Sequence, residues 1–535
     1  MKQPVQPNRH PPACAIVGDA PATGYTAIDY VVLTGAVLLM VVLRLHAFDA
    51  PLEVDECNYA YIGQRIAEGS RFYVDVWDHQ PPGMYWYCGL LVRWFGAGAW
   101  VFRVSAAVAV AATLILVYAI CRRALGRGSA AVAALLLAVV SSDPGIAGEG
   151  CNREIYMNAF GAAALWLVLD GRRWALLCAG LCLGVSSLFK TVVATQWLLL
   201  AGAVVIDGLW MRRTKPGALL GDVTLLGAGA ALVWMVTAAV MRAGGRFESF
   251  VDATFIYNLG YGRIDVPLTH KLTGFFFGPH GFRVGVFRSA AGLWLAGACG
   301  VVLLPWRRDR RFALCVTALA VGSFLAVCLP GRFWNHYYML MLVPLVVASA
   351  ALVRGVFERW TRDRSGVHPP AILTAVLVVT ASSALQWHYY LSLPPDRIAS
   401  FRYHGRMAWA RRQGRRVAKV TAPKDTIYVA GLDAGIYYYS GRRCASRYTM
   451  VTHLAGDDPR AARRRSELLD DLHRFAPRLI LLINAPYIAE LDRYIREKRF
   501  VKVGEDPGRM VVLCDPDRMI ARIDWQDRPQ ISPPR

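Results

Sequence analysis

The sequence predicts a polytopic α-helical membrane protein, with about eleven spans and a small soluble α/β domain at its C-terminal end. Three observations predict it. The 535 residues are 55% hydrophobic and only 18% charged, too apolar for a soluble chain whose surface must be covered by polar groups. Apolar stretches near the length of about 20 residues that a spanning helix needs recur through the first three quarters of the chain. Lysines and arginines gather in alternate connecting loops, the pattern that sets membrane orientation. The formal charge of +22 is therefore read as topology, and nucleic acid is excluded as a partner.

Spans are predicted near 28–46, 99–120, 129–142, 155–170, 174–190, 191–210, 219–241, 289–306, 312–330, 337–353 and 370–388. The first apolar run is too long and too far from the start for a cleaved signal peptide, so residues 1–27 form a tail and the run that follows is a retained span. Placing that tail in the cytoplasm makes every inner loop basic: Arg122, Arg123 and Arg127; Arg172 and Arg173; Arg212, Arg213 and Lys215; Arg307, Arg308, Arg310 and Arg311; Arg354, Arg359, Arg362 and Arg364. The outer side then receives two long loops, 47–98 and 242–288, and a short one around 143–154. The transmembrane domain covers 28–390, and 391–535 is an extracytoplasmic domain. Within it, strands are expected at 425–430, 477–483, 500–503 and 509–513, with helices at 466–475 and 489–499. Cys444 and Cys514 lie in that domain, where an oxidising compartment would let them pair.

The chemistry-bearing residues fall on one side of this topology. The first outer loop carries Glu53, Asp55 and Glu56 ahead of a helical pattern, then Asp78, His79 and Gln80 before the rigid Pro81–Pro82 pair. Paired carboxylates serve as a general base or hold a cation; the same Asp55 is also a good helix N-cap. Tyr85, Trp86 and Tyr87 read as an interfacial aromatic belt. Glu154 starts the next outer segment, and Lys190 lies between two apolar runs, placed either to snorkel or to bind a phosphate. Asn258 and Tyr261 mark the third outer loop, and Arg332 and His336 the last. Carboxylates, cations and imidazoles on one membrane face suit a substrate carrying both sugar and phosphate, and the aromatics suit a lipid tail.

With Asp55–Glu56 leading into a helix, the run Trp77 through Trp86, the Asn152–Arg153–Glu154 triplet, Phe189–Lys190 and the stretch Arg332–Tyr338, the chain resembles the GT-C type polyprenyl-phosphate-dependent glycosyltransferases over about residues 28–390. Within these it is similar to the group of protein O-mannosyltransferases, aminoarabinose transferases and lipopolysaccharide-core galacturonosyltransferases. The resemblance implies an inverting transfer from a polyprenyl-phosphate sugar to a lipid, glycan or protein acceptor, on the extracytoplasmic face of an inner (plasma) membrane. It implies that Asp55 is the base, with Glu56 and Glu154 beside it. Asp78, His79, Gln80, Lys190, Asn258, Tyr261, Arg332 and His336 would bind substrate. Many relatives have a lysine for the donor phosphate directly before the Pro-Pro pair, where this chain has Gln80, so that role passes to Lys190 or Arg332. No cofactor is required by this reading. A divalent cation is compatible with Asp55, Glu56, His79, Glu154 and His336. The alternatives from other classes are a lipid-linked sugar transporter or flippase, and a non-catalytic envelope-assembly protein; the placement of acidic groups in outer loops rather than at mid-span favours the enzyme.

Overall fold

The structure, a computed structural model, describes residues 24–211, 214–261, 266–279, 281, 285–361, 389–390, 393, 405–455, 459–484 and 486–526. Ten of the eleven expected spans are helical there; the eleventh, 370–388, lies outside the described residues. The elements of the first half of the chain that the site draws on are α1 (Ala27–Arg44), α2 (Val54–Ala67), α3 (Gly83–Phe95), α4 (Ala99–Ala124), α5 (Arg127–Val140), α6 (Arg153–Asp170), α7 (Arg173–Phe189), α8 (Ala194–Ile206) and α9 (Pro216–Ala243). Three further apolar helices follow at Ala291–Leu303, Arg310–Cys328 and Leu342–Thr361. Six helical segments among the described residues are long and apolar enough to cross a membrane, and three shorter ones are apolar throughout. The chain is a membrane protein.

Helices in a bilayer gain little from burying apolar surface against one another, so close approach of backbones matters more. The contact of α7 with α9 shows this: a Cβ on Gly180 would meet the Leu226 carbonyl, and one on Gly229 would meet the Leu177 carbonyl. Asp29 on α1 is fully buried; it accepts from the Tyr118 hydroxyl at 2.6 Å and from Arg122 at 3.0 Å, with Arg127 at 3.3 Å. That cluster ties α1, α4 and α5 together at the expected inner end.

The C-terminal region is a five-stranded sheet in the order β2-β1-β3-β5-β4, built from β1 (Thr426–Ala430), β2 (Arg443–Cys444), β3 (Leu479–Leu482), β4 (Val501–Asp506) and β5 (Met510–Cys514). β1 pairs in parallel with β2 and β3, while β5 runs antiparallel to both β3 and β4. The four expected strands are present; β2, at two residues, is too short to leave a periodic signal. Helices cover it at Arg406–Val420, Pro459–Phe475 and Ala489–Glu497. Cys444 and Cys514 do not pair: both are free, on β2 and β5, with β1 and β3 between them. At about 4.8 Å per strand that separation exceeds the reach of a disulfide.

The aromatic belt is also displaced from its expected place. Tyr85 is fully buried, edge-on to Tyr59 with ring centroids 5.8 Å apart. The exposed apolar surface here is Leu90, Trp94, Phe95 and Trp100. Their spacing puts Leu90 and Trp94 on one outward stripe of α3.

Candidate functional site

The site is assembled from the N-terminal ends of α2 and α6, the C-terminal end of α7 and the segment Asn335–Met341. At the start of α2 two neighbouring carboxylates take different paths. Glu53, and not Asp55, occupies the N-cap position, which puts Glu56 at the third helical residue. From there Glu56 reaches back to accept the Glu53 amide at 2.7 Å, half of a capping box. Its other oxygen accepts from Arg103 at 2.8 Å and from the Cys151 amide. Arg103 is itself 1% exposed and also donates to the carbonyls of Glu149 and Pro51. Glu56 is thus a buried tie between α2, α4 and the turn before α6.

Asp55 points the other way. Its side chain is 39% exposed, and its Oδ2 lies 4.0 Å from His336 Nε2. Around it stand buried groups. Glu154, on the first turn of α6, pairs with Lys190 at 3.1 Å, with the two side chains 2% and 7% exposed. Lys190 ends α7 in extended conformation, and its ammonium sits 3.1 Å from the centre of the Tyr337 ring. Burial opposes ionisation of Glu154, but Lys190, His336 and Arg153 together outweigh it and hold that carboxyl below its ordinary value. Arg153 donates to the Tyr59 hydroxyl at 2.8 Å and lies over the Tyr59 ring, with both Asp55 and Asp78 within its field. Arg332 is half-buried in the sharp reversal before His336, where Gly331 and Phe333 both adopt positive φ.

A second cluster adjoins the first. Asp78 is buried; it accepts from Asn58 at 2.7 Å and lies 3.2 Å from His79 Nδ1. Burial works against the charge on Asp78, yet His79, His453 and Arg153 together outweigh it and keep the carboxyl well below the carboxylate range. The Gln80 amide group meets His79 Nε2 at 2.7 Å, and Asn258 donates to the His79 carbonyl at 2.6 Å. The turn is pressed against the end of α7: a Cβ on Gly83 would lie 2.6 Å from the Leu188 carbonyl oxygen, which leaves room for glycine alone. Two residues later comes Lys190, so the Asp78–Gln80 turn and the lysine share one corner of the site.

His453, from the C-terminal region, completes this second cluster. Its ring lies 5.2 Å from His79 and 4.9 Å from Trp77, and Tyr257 reaches its Nδ1 at 3.3 Å. Burial pushes His453 down to about 3, so the imidazole is neutral near pH 7. Asp78, His79 and His453 are the one group among the described residues with metal-ligand spacing, their donor atoms lying within 4.8 Å of one another. An ionised carboxylate and a neutral imidazole are the forms that ligate. The wider set expected to share a cation does not assemble, because Glu56 is committed to Arg103 and His79 turns toward Asp78.

Of the expected site residues, Asp55, Glu154, Lys190 and His336 come together, and Asp78, His79, Gln80 and Asn258 form the adjoining group. Tyr261 ends a short helix, Tyr257–Tyr261, and its side chain lies outside the described part of the structure. The sequence reading gave no role to Arg153, Tyr59, Tyr337 or His453. Arg153 and Tyr337 stand inside stretches already singled out, whereas nothing in the sequence points to His453.

Comparison with known proteins agrees with this architecture. ArnT from Cupriavidus metallidurans bound to undecaprenyl phosphate aligns with a TM-score of 0.58 at 17% identity, covering 92% of this chain and 98% of that one. Its apo state gives 0.60 at 16% identity, over 91% and 98%. The model of the dolichyl-phosphate-mannose-protein mannosyltransferase family matches residues 79–235. The chain shares its fold with ArnT. The archaeal oligosaccharyltransferase AglB from Archaeoglobus fulgidus, in complex with an inhibitory peptide and a dolichol-phosphate, is a further likeness of fold, with a TM-score of 0.52 at 14% identity, covering 94% of this chain and 75% of that one. At such identities the likeness is one of fold. No curated protein matches this chain in sequence.

Proposed function

We propose that the protein transfers a sugar from a polyprenyl-phosphate donor to an acceptor hydroxyl at the extracytoplasmic face, with inversion at the anomeric carbon. One observation carries the reading: Asp55 is an open carboxylate set beside a buried Lys190–Glu154–His336 group at the membrane boundary. An exposed carboxylate can meet an acceptor and take its proton, and a buried cation can meet a phosphate.

In the proposed step the acceptor oxygen attacks the anomeric carbon as its proton passes to an Asp55 oxygen. The new C–O bond forms while the bond between that carbon and the donor phosphate oxygen breaks, and the polyprenyl phosphate leaves with the electron pair. Lys190 balances the charge developing on that phosphate, and Glu154 holds the ammonium in place. His336, 4.0 Å from Asp55, fixes where the base points. The two neighbours solved with undecaprenyl phosphate and with dolichol-phosphate support a lipid-phosphate donor for this fold. A divalent cation held by Asp78, His79 and His453 would add positive charge next to the same phosphate. The cytoplasmic N-terminus and extracytoplasmic C-terminal domain follow from the basic loops, the inner-membrane location from the resemblance, and all three belong to this proposal.

The test is purified protein in lipid, supplied with a panel of radiolabelled sugars on undecaprenyl phosphate and a crude envelope acceptor. Label should move to the acceptor with wild-type protein. Absence of transfer across the panel, with folded protein, would favour the transporter or assembly reading instead.

A further inference from the structure

Three segments far apart in sequence meet behind the Asp78–Gln80 turn. On α2, Asn58 lies one helical turn after Asp55, 1% exposed. Its amide nitrogen donates to Asp78 Oδ2 at 2.7 Å, and its amide oxygen accepts from the Thr449 hydroxyl at 2.7 Å. Thr449 is fully buried and belongs to the C-terminal domain. Beside it the Trp77 amide donates to the Arg447 carbonyl at 3.0 Å, and the Trp77 and Tyr448 rings lie 5.4 Å apart. Asp78 Oδ1 in turn accepts the Gln80 amide at 3.1 Å, which closes the turn.

We infer that Thr449 is a positioning residue for the donor end of the site, acting through Asn58. An asparagine side chain has a donor end and an acceptor end, and its neighbours decide which way it faces. The Thr449 hydroxyl gives the Asn58 oxygen its donor. That leaves the NH2 group turned to Asp78, the only orientation in which it can bond an ionised carboxylate. The reverse orientation would set a carbonyl oxygen against that carboxylate. Asp78 then fixes the backbone of the turn whose far end is wedged against α7 beside Lys190. A fully satisfied buried chain of this kind defines one geometry, and a broken one does not. The C-terminal domain therefore helps to position the donor end of the site.

This inference rests on the transfer reading, and two readouts separate their failures. Full-length Thr449→Val removes the hydroxyl at nearly constant volume, and Thr449→Ser restores it. In lipid nanodiscs, affinity for undecaprenyl phosphate alone should fall about tenfold in the valine variant and return to within about twofold in the serine variant. In the transfer assay the valine variant should raise the donor KM by a similar factor while kcat stays within about twofold. Amide exchange at Trp77–Gln80 should quicken in the valine variant only. If wild type transfers nothing but lipid-phosphate affinity and exchange still respond, the transfer reading fails and the coupling stands. Unchanged affinity and exchange in Thr449→Val would overturn the inference. So would a loss shared equally by the serine variant, or a fall in kcat at constant donor KM.

Discussion

Two clusters at opposite ends of the membrane region use the same chemical parts and make different things of them. At one end Asp29 meets Tyr118, Arg122 and Arg127; at the other Asp55 and Glu154 meet Lys190, Arg153 and His336. Asp29 is fully buried, and hydrogen bonds from Thr26, Tyr118 and Arg122 satisfy it, so nothing more can approach. Asp55 keeps 39% of its side chain open while the groups around it are buried. The contrast recurs within a single dipeptide, since Glu56 is as closed as Asp29. A saturated carboxylate holds helices together. One held in place but left open is available for proton transfer.

The comparison can be broken in several ways, taken from the largest expected effect downward. Asp55→Asn should reduce transfer by at least about a thousandfold, as expected for a group acting in the transition state, while thermal stability holds. Arg103→Met strands the Glu56 charge in the interior, where losing one partner of a buried pair costs about 3–5 kcal/mol. It should therefore appear as a lowered melting temperature or poor yield rather than as a selective loss of turnover. Asp29→Asn should cost about 1–3 kcal/mol of stability through broken hydrogen bonds, with kcat of the surviving folded protein unchanged. The smallest effect belongs to Lys190. Lys190→Gln keeps a hydrogen-bond donor for Glu154 but removes the positive charge, so donor KM should rise about tenfold with kcat less affected. An unchanged donor KM in the glutamine variant would remove Lys190 from the phosphate site.

The helical frame was legible because apolar runs of spanning length can hardly be anything else. The alternation of basic loops then brought Asp55, Glu154, Lys190 and His336 to one face before any geometry was known. The difference between Asp55 and Glu56 was not legible. It depends on which residue caps α2, and Glu53, Asp55 and Glu56 are all acidic; only the position of Arg103 on α4 decides it. Tyr85 read as part of an interfacial belt because composition does not reveal that Phe72 and Tyr59 close over it. The Thr449–Asn58 contact spans 391 positions, and His453 is similarly remote from His79. Contacts of that range leave no local pattern, so the contribution of the C-terminal domain emerges only once the chain is folded.

The most direct test of the account sets Asp55→Asn and Asp29→Asn side by side in the same lipid preparation, measuring sugar transfer and melting temperature for each. The account predicts that the first loses transfer and keeps its stability, while the second loses stability and keeps its turnover. Full transfer by Asp55→Asn, or turnover lost in a stably folded Asp29→Asn, would contradict it.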